Sequence, residues 1–406
     1  MHQQTTLPNG LTILTVPMPG VETAAIGLHL DVGSRHEPAR VNGVAHMIEH
    51  MVFKGTQRRS AKRIAEEIED VGGQLNAYTA RDTTVFHARV LADDVPLAVD
   101  MISDLVCAPV LDAAELEKER EVVLQELGEA RDTPDDIIHD HLQAVAYAGQ
   151  PIGRSVLGEE ASIAAIGTDD LRGWLERHYT GGAAVLVGAG KVEHGALVDL
   201  AGKHLGDLPG GQREAAEPAR FTGGTHAQGR KLEQAHLTMG WAGPAHGDPD
   251  HMAVQLFTCA VGGGMSSRLF QELREERGLA YSVWANHQPF TDTGLFSVYL
   301  ATAPKHARGA QALTHDVLAA TAAGLEEAEL ARAKAQLKAG LLMNLESSAG
   351  WADYAARQFL VHRRVRAPAD IVAKMEAVTL EQVRDAAARM LARALASATI
   401  GMKRAA

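Results

Sequence analysis

The sequence predicts an α+β fold made of two homologous domains, each a mainly antiparallel sheet packed with helices, and three observations carry that expectation. Strand-like and helix-like segments are both plentiful without the strict alternation of a parallel βαβ sheet. A Gly-, Pro- and polar-rich stretch without hydrophobic periodicity lies between Gly206 and Arg230, including Leu208-Pro209-Gly210-Gly211 and Thr222-Gly223-Gly224-Thr225. It reads as a linker. The two sides of that linker also look alike: Leu111-Asp-Ala-Ala-Glu115-Leu116 and Leu325-Glu-Glu-Ala-Glu329-Leu330 begin helices at an offset of 214 residues, and Thr168 and Thr379 occupy expected N-cap positions 211 apart. The expected organisation is an N-terminal domain over 1–208, a linker over 209–228 and a homologous C-terminal domain over 229–406.

In chain order, Leu7-Pro8-Asn9-Gly10 reads as a turn leading into a strand, and Thr23 to Val32 and Thr83 to Val90 alternate as strands. Ala45 to Val52, Ala61 to Val71 and Leu111 to Glu129 carry helical periodicity, with Gly72-Gly73 ending the middle one.

The chain has 406 residues, enough for large cores without disulfides, and 46% hydrophobic with 22% charged residues is ordinary for a soluble globular protein. A net charge of −12 gives no general attraction to phosphate backbones or anionic lipid, and 4% aromatic residues offer few stacking platforms, so nucleic acid and membranes are not expected partners. The two cysteines, Cys107 and Cys259, form no CxxC pair and suit a reducing compartment. The first residues lack a basic segment followed by an apolar one, and apolar runs such as Ala183 to Val187 are far shorter than a membrane span. The expected location is the cytoplasm.

The sharpest chemical feature is His46-Met47-Ile48-Glu49-His50. On a helix advancing about 100° per residue, His46 and His50 lie one turn apart on one face and can reach one metal ion, while Glu49 beside them can act on a water as a general base. Because the fourth residue after His36 is Arg40, the ordinary HExxH pattern is absent. A catalytic zinc needs a third protein ligand. Glu119 and Glu126, seven residues apart, share nearly one face of the next long helix, but Glu115, Glu117, Glu121 and Glu129 are there too, so a solvated charged face is an equal reading of that spacing.

The HxxEH motif within Gly43-Val-Ala-His46-Met-Ile-Glu49-His50-Met-Val-Phe-Lys54-Gly-Thr56, followed by Lys118-Glu119-Arg-Glu-Val-Val-Leu-Gln-Glu126, resembles the inverted zincins of the pitrilysin and mitochondrial-processing-peptidase family. The resemblance extends over essentially the whole chain. It implies a zinc metalloendopeptidase with one Zn2+ per chain, bound by His46, His50 and Glu126, with Glu49 as catalytic base and Glu119 as a supporting acid. Asn76-Ala77-Tyr78-Thr79 is similar to the family's substrate-facing edge strand, to which an extended peptide adds by main-chain hydrogen bonds. Arg274 and Tyr281 match a substrate-binding Arg/Tyr pair, and a Tyr hydroxyl is a fitting donor to an oxyanion.

The glycine run Gly262-Gly263-Gly264 has no following Gly-Lys-Ser/Thr and is not a phosphate loop. Ala333 and Gly340 stand opposite Glu119 and Glu126 in the second half, which has no HxxEH between Leu237 and Gly264, so one zinc site per chain is expected. A chain of this length resembles half of the family's longer enzymes. That implies a homodimer enclosing a chamber, with peptides or unfolded polypeptide segments as substrates. Two other readings follow from the same resemblance: a noncatalytic structural or partner subunit, and a dedicated processing peptidase in a heterodimer with a homologous chain.

Overall fold

The computed structural model describes residues 2–402. These residues pack as two compact units, each with its own sheet and cores.

The first unit comprises residues up to 128, 154–217 and 343–365. Its strands are β1 (Gln3–Thr6), β2 (Thr12–Pro17), β3 (Thr23–Leu30), β4 (Gln74–Thr79), β5 (Thr84–Leu91) and β6 (Ala184–Gly190), in the order β1-β2-β6-β3-β5-β4. All pairs are antiparallel except β2 with β6. Alternation assigns the faces: Ala24, Ile26, Leu28 and Leu30 of β3, with Phe86 and Ala88 of β5, join the core under helices Val44–Val52 and Val95–Cys107. The residues between them turn to the other face, where helix Ser348–His362 lies with Ala352, Ala355 and Phe359 against Leu14, Val185 and Val187. Strand β6 is buried along its whole length because both of its faces are covered.

The second unit comprises residues 129–153, 218–342 and 366 onward. Its strands are β7 (Gly224–Gln228), β8 (Ala235–Gly243), β9 (Ala280–Pro289), β10 (Gly294–Thr302) and β11 (Leu395–Ile400), in the order β7-β11-β8-β10-β9. Only β7 with β11 is parallel. From β4 inward through β5, β3, β6 and β2, these five strands have counterparts in β9, β10, β8, β11 and β7, and the edge strand β1 has none. Helix Pro134–Ala146 covers one face through Ile138 and Leu142, and helices His251–Gly262 and Leu380–Leu391 cover the other.

The packing units do not follow a single cut in the sequence. Helices Pro134–Ala146 and Ser348–His362 stand at the offset of 214 residues, and each packs in the unit built mainly from the other half of the chain. The expected linker over 209–228 also contains β7, an edge strand whose mostly exposed side chains show no alternation because neither face is deeply buried. Smaller differences concern helix starts. Thr379 caps its helix, accepting from the Gln382 N–H, but Thr168 is the first helical residue after the Gly167 cap. Leu111 adopts φ 53° ahead of helix Ala113–Asp132, whose first turn is held instead by Asp112 Oδ1 accepting from the Ala114 and Glu115 N–H groups at 2.8 and 3.1 Å.

Candidate active site

The site is assembled on helix Val44–Val52, whose Val44, Ala45, Met47, Ile48, Met51 and Val52 are buried in the first core. That pattern leaves His46, Glu49 and His50 on the remaining face. The helix begins at Gly43, where φ is 96° and a Cβ would lie 2.7 Å from the Leu157 carbonyl oxygen, so glycine is required. Its first N–H groups are satisfied by Glu37, 2% exposed, which accepts from Gly43 N–H at 2.8 Å, Ala45 N–H at 2.9 Å and Asn42 Nδ2 at 2.7 Å. A carboxylate reaching in from seven residues before the first helical residue has no local sequence signature.

Helix Ala113–Asp132 buries Leu116, Glu119, Val123 and Leu127 in one stripe, so a carboxylate occupies an apolar position. Glu117, Glu121 and Glu129 are exposed, whereas Glu119 is buried and Glu126 half-buried facing the histidines. The ambiguity left by spacing is thereby resolved in favour of two inward carboxylates. His46 Nε2 lies 3.3 Å from His50 Nε2, and Glu126 Oε2 lies 3.7 and 3.5 Å from those two atoms. Ligands at roughly 2.0–2.1 Å from a tetrahedral zinc are about 3.3 Å apart, so these three atoms fit one ion. Among the described residues this is the only such group of three.

The residues around the trio sharpen the fit. Glu119 Oε2 accepts a hydrogen bond from the His50 Nδ1–H at 3.1 Å, the tautomer that leaves a lone pair on Nε2, and Lys54 Nζ holds Glu119 Oε1 at 2.6 Å. Lys54 was not singled out from the sequence. Burial, with His50 adding to it, pushes His46 down to about 4, so its imidazole is neutral, the ligating form. Burial pushes the Glu49 carboxyl up from its ordinary value, partly offset by hydrogen bonding from Thr79. Glu49 Oε2 is buried without a hydrogen-bond partner. An acceptor kept unpaired beside three ligand atoms suits a water or substrate group.

Strand β4 holds Asn76, Ala77, Tyr78 and Thr79 and is an edge of its sheet. Ala77 packs into the core below helix Val44–Val52, Asn76 and Tyr78 point to the opposite face, and Thr79 at the strand's end bonds Glu49. In the second unit, Arg274 sits in a π-helical stretch, Phe270–Glu276, and its guanidinium lies 4.7 Å from the Phe270 ring and 4.6 Å from the Tyr281 ring. Tyr281 is the second residue of β9 and is 72% exposed. The structure therefore joins His46, Glu49, His50, Glu119, Glu126 and Thr79 in one cluster, and Arg274 with Tyr281 in another.

Comparison with known proteins agrees with both the fold and the motif. Residues 12–160 match the family model described as insulinase (peptidase family M16), and residues 165–337 match the one described as peptidase M16 inactive domain. An uncharacterized zinc protease of Mycobacterium tuberculosis strain H37Rv is 39% identical over 98% of this chain and 93% of its own. The mitochondrial-processing peptidase subunit beta of Lentinula edodes is 35% identical over 95% of this chain and 86% of its own. Among solved structures, a peptidase M16 inactive domain from Pseudomonas fluorescens superposes with a TM-score of 0.93 at 23% identity, covering 100% of this chain and 98% of that one. A protease from Helicobacter pylori gives 0.92 at 22% identity, covering 98% and 99%. No helix among the described residues is long and apolar enough to cross a membrane. Identity at this level over nearly the full length makes the conclusion direct: this chain belongs to peptidase family M16, the insulinase family.

Proposed function

We propose that this chain is a zinc-dependent endopeptidase acting on peptides or unfolded polypeptide segments, with His46, His50 and Glu126 holding the ion. The observation that carries the reading is the bond from Thr79 to Glu49, which ties the end of an edge strand to the general base beside the ligand trio. Zinc supplies polarisation of the scissile carbonyl and acidification of a water. A peptide added along β4 would run past Glu49, which accepts the water proton and passes it to the leaving amine. Glu119 and Lys54 act at one remove, fixing the orientation of His50.

Arg274 and Tyr281 serve as the substrate-holding pair, Tyr281 donating to the oxyanion and Arg274 to a peptide carbonyl or carboxylate. The assembly that fits this division is a homodimer enclosing a cytoplasmic chamber, in which each zinc faces the Arg/Tyr pair of the other subunit. Zinc analysis coupled to cleavage of a mixed peptide library, with and without chelator, tests the reading. Chelator-sensitive hydrolysis with one zinc per chain is expected. Stoichiometric zinc without hydrolysis would assign the chain a noncatalytic role.

A further inference from the structure

Three arginines share the segment that follows the glycine run of the second unit, and two of them are held by carboxylates. Arg268 forms a fork with Glu329, its Nε and Nη2 lying 2.7 and 2.6 Å from the two carboxylate oxygens. Arg277 pairs with Glu272. The guanidinium of Arg274 makes no hydrogen bond among the described residues. The carboxylate beside it, Glu275, is 53% exposed and its Oε1 lies 3.7 Å from Nε, beyond hydrogen-bonding reach. Rings take the place of an acid here: the guanidinium carbon lies 4.7 Å from the centre of the Phe270 ring and 4.6 Å from that of Tyr281.

The backbone brings both rings to this place. Phe270 and Arg274 stand four residues apart on the π-helical stretch Phe270–Glu276, whose wider turn sets such residues nearly in line. Leu269 and Leu273, both 0% exposed, seat the stretch in the second unit's core, and Phe270 is partly buried against the same core. The return to β9 is tight. The Gly278 N–H donates to the Arg274 carbonyl at 3.1 Å and the Leu279 N–H to the Leu273 carbonyl at 2.7 Å, with Gly278 at φ 57°, and the turn carries Tyr281 back beside Arg274. The kind of contact matters as much as its place. A carboxylate would order this long side chain by occupying its N–H donors, whereas ring contacts order it and leave the donors unused.

We propose that Phe270 is a positioning residue: it holds Arg274 beside Tyr281 with the guanidinium N–H groups left free for a substrate carbonyl or carboxylate. This rests on the reading of Arg274 and Tyr281 as the substrate-holding pair. An arginine without such support would have to be ordered when the substrate arrives, which weakens binding; one already held by rings is ordered beforehand. Tyr281 then has two separable parts, a ring that helps hold Arg274 and a hydroxyl that donates to the oxyanion.

Phenylglyoxal labelling of the full-length, zinc-loaded protein, read residue by residue by mass spectrometry, reports how freely the Arg274 guanidinium moves and needs no substrate. Phe270→Leu keeps an apolar side chain against the core and removes the ring. Arg274 should then react about two- to fivefold faster, the population freed when an exposed cation–ring contact is lost, while Arg268 of the same segment keeps its rate. Phe270→Tyr should restore the slow rate. In steady-state cleavage of a quenched-fluorescent peptide of mixed sequence, Phe270→Leu should raise KM by a similar factor with kcat nearly kept, and in an Arg274→Gln background it should add nothing. Unchanged labelling of Arg274, equal acceleration at Arg268, or KM effects that add in the double variant would each overturn the positioning role. Faster labelling with a KM that neither Phe270→Leu nor Arg274→Gln moves would leave the contact standing and refute the substrate-holding reading beneath it. Absence of cleavage would remove the peptidase reading, and the labelling would still decide for or against Phe270.

Discussion

The two units share a strand order and differ in what joins their helices. In the first, helices Val44–Val52 and Ala113–Asp132 meet through His50, Glu119 and Glu126, with Lys54 closing the chain of charges. In the second, helices His251–Gly262 and Glu327–Asn344 meet through Cys259, whose Sγ lies 3.0 Å from Gln336 Oε1 and 3.8 Å from the Ala333 carbonyl. Ala333, 1% exposed, stands in the apolar stripe where the first unit has Glu119. The scaffold therefore tolerates either filling. The first unit accepts a buried carboxylate because His50 and Lys54 compensate it, and a buried carboxylate without such partners would be strongly destabilising.

The largest effect expected from that difference is at the base. Glu49→Gln should keep nearly stoichiometric zinc, since Glu49 is no member of the ligand trio, and lose about 10²–10⁴-fold in turnover. Steady-state cleavage together with metal analysis measures both quantities. Turnover surviving in zinc-loaded Glu49→Gln would remove Glu49 from the mechanism. Glu126→Gln should instead lower zinc affinity itself, because a neutral amide replaces a charged ligand.

Next in size is the support of His50. Lys54→Met leaves Glu119 buried beside one partner instead of two, and zinc affinity should fall roughly 10–100-fold, the range for losing an outer partner of a metal ligand. Competition with a chromogenic chelator reads this without any substrate. Lys54→Arg, which keeps the charge, should recover most of the loss. If Lys54→Met binds zinc as the wild type does, the charged chain behind His50 is not what distinguishes the first unit.

Much of this site was legible in the sequence because its members are close in the chain and keep a helical period: His46, Glu49 and His50 need only a helix to converge. Glu126 could be reached only through family resemblance, since the other glutamates of its helix were equal candidates by spacing. Glu37 and Lys54 were missed. Glu37 works from a loop across the helix start, and Lys54 works through a residue 65 positions later, so neither contact exists until the chain has packed. The duplication was legible from repeated helix starts, but not the crossing of Pro134–Ala146 and Ser348–His362 into the other unit, because an apolar helix face records that it is buried and not against which sheet. Strand β7 looks like linker in the sequence for the opposite reason: it buries too little to leave a pattern.

A smaller effect tests whether the units divide the labour across a dimer. A Glu49→Gln chain and a Tyr281→Phe chain should each be nearly inactive alone. If each zinc meets the partner subunit's Tyr281, a mixed dimer holds one site with both residues intact. Random exchange makes about half the dimers mixed, so about a quarter of wild-type activity should return on co-expression, a fourfold deficit against the parent. Mixed dimers confirmed by mass spectrometry yet inactive would place the working pair within one chain.

The smallest expected effect concerns buried imidazoles that serve no metal. In the first unit His46 is held near 4, where neutrality suits ligation. In the second, burial and the neighbouring His251 push His287 down to about 3, and its Nε2 donates to the Pro244 carbonyl at 3.0 Å. The unfolded chain binds a proton near the ordinary value of 6.5 and the folded chain does not until about 3, so between these limits the unfolded state holds more protons. The stability this group contributes is complete above 6.5 and is lost as pH falls toward 3. His287→Asn keeps an N–H donor without the titration, so the urea midpoint of the zinc-free protein should decline less steeply from pH 6.5 to 3 than in the parent. His251 and His246 lie around the same ring cluster and would keep part of the slope. Equal slopes in variant and parent would mean that the second unit accommodates a charged imidazole there, and that burial of histidine has no separate acid cost in the unit without the metal trio.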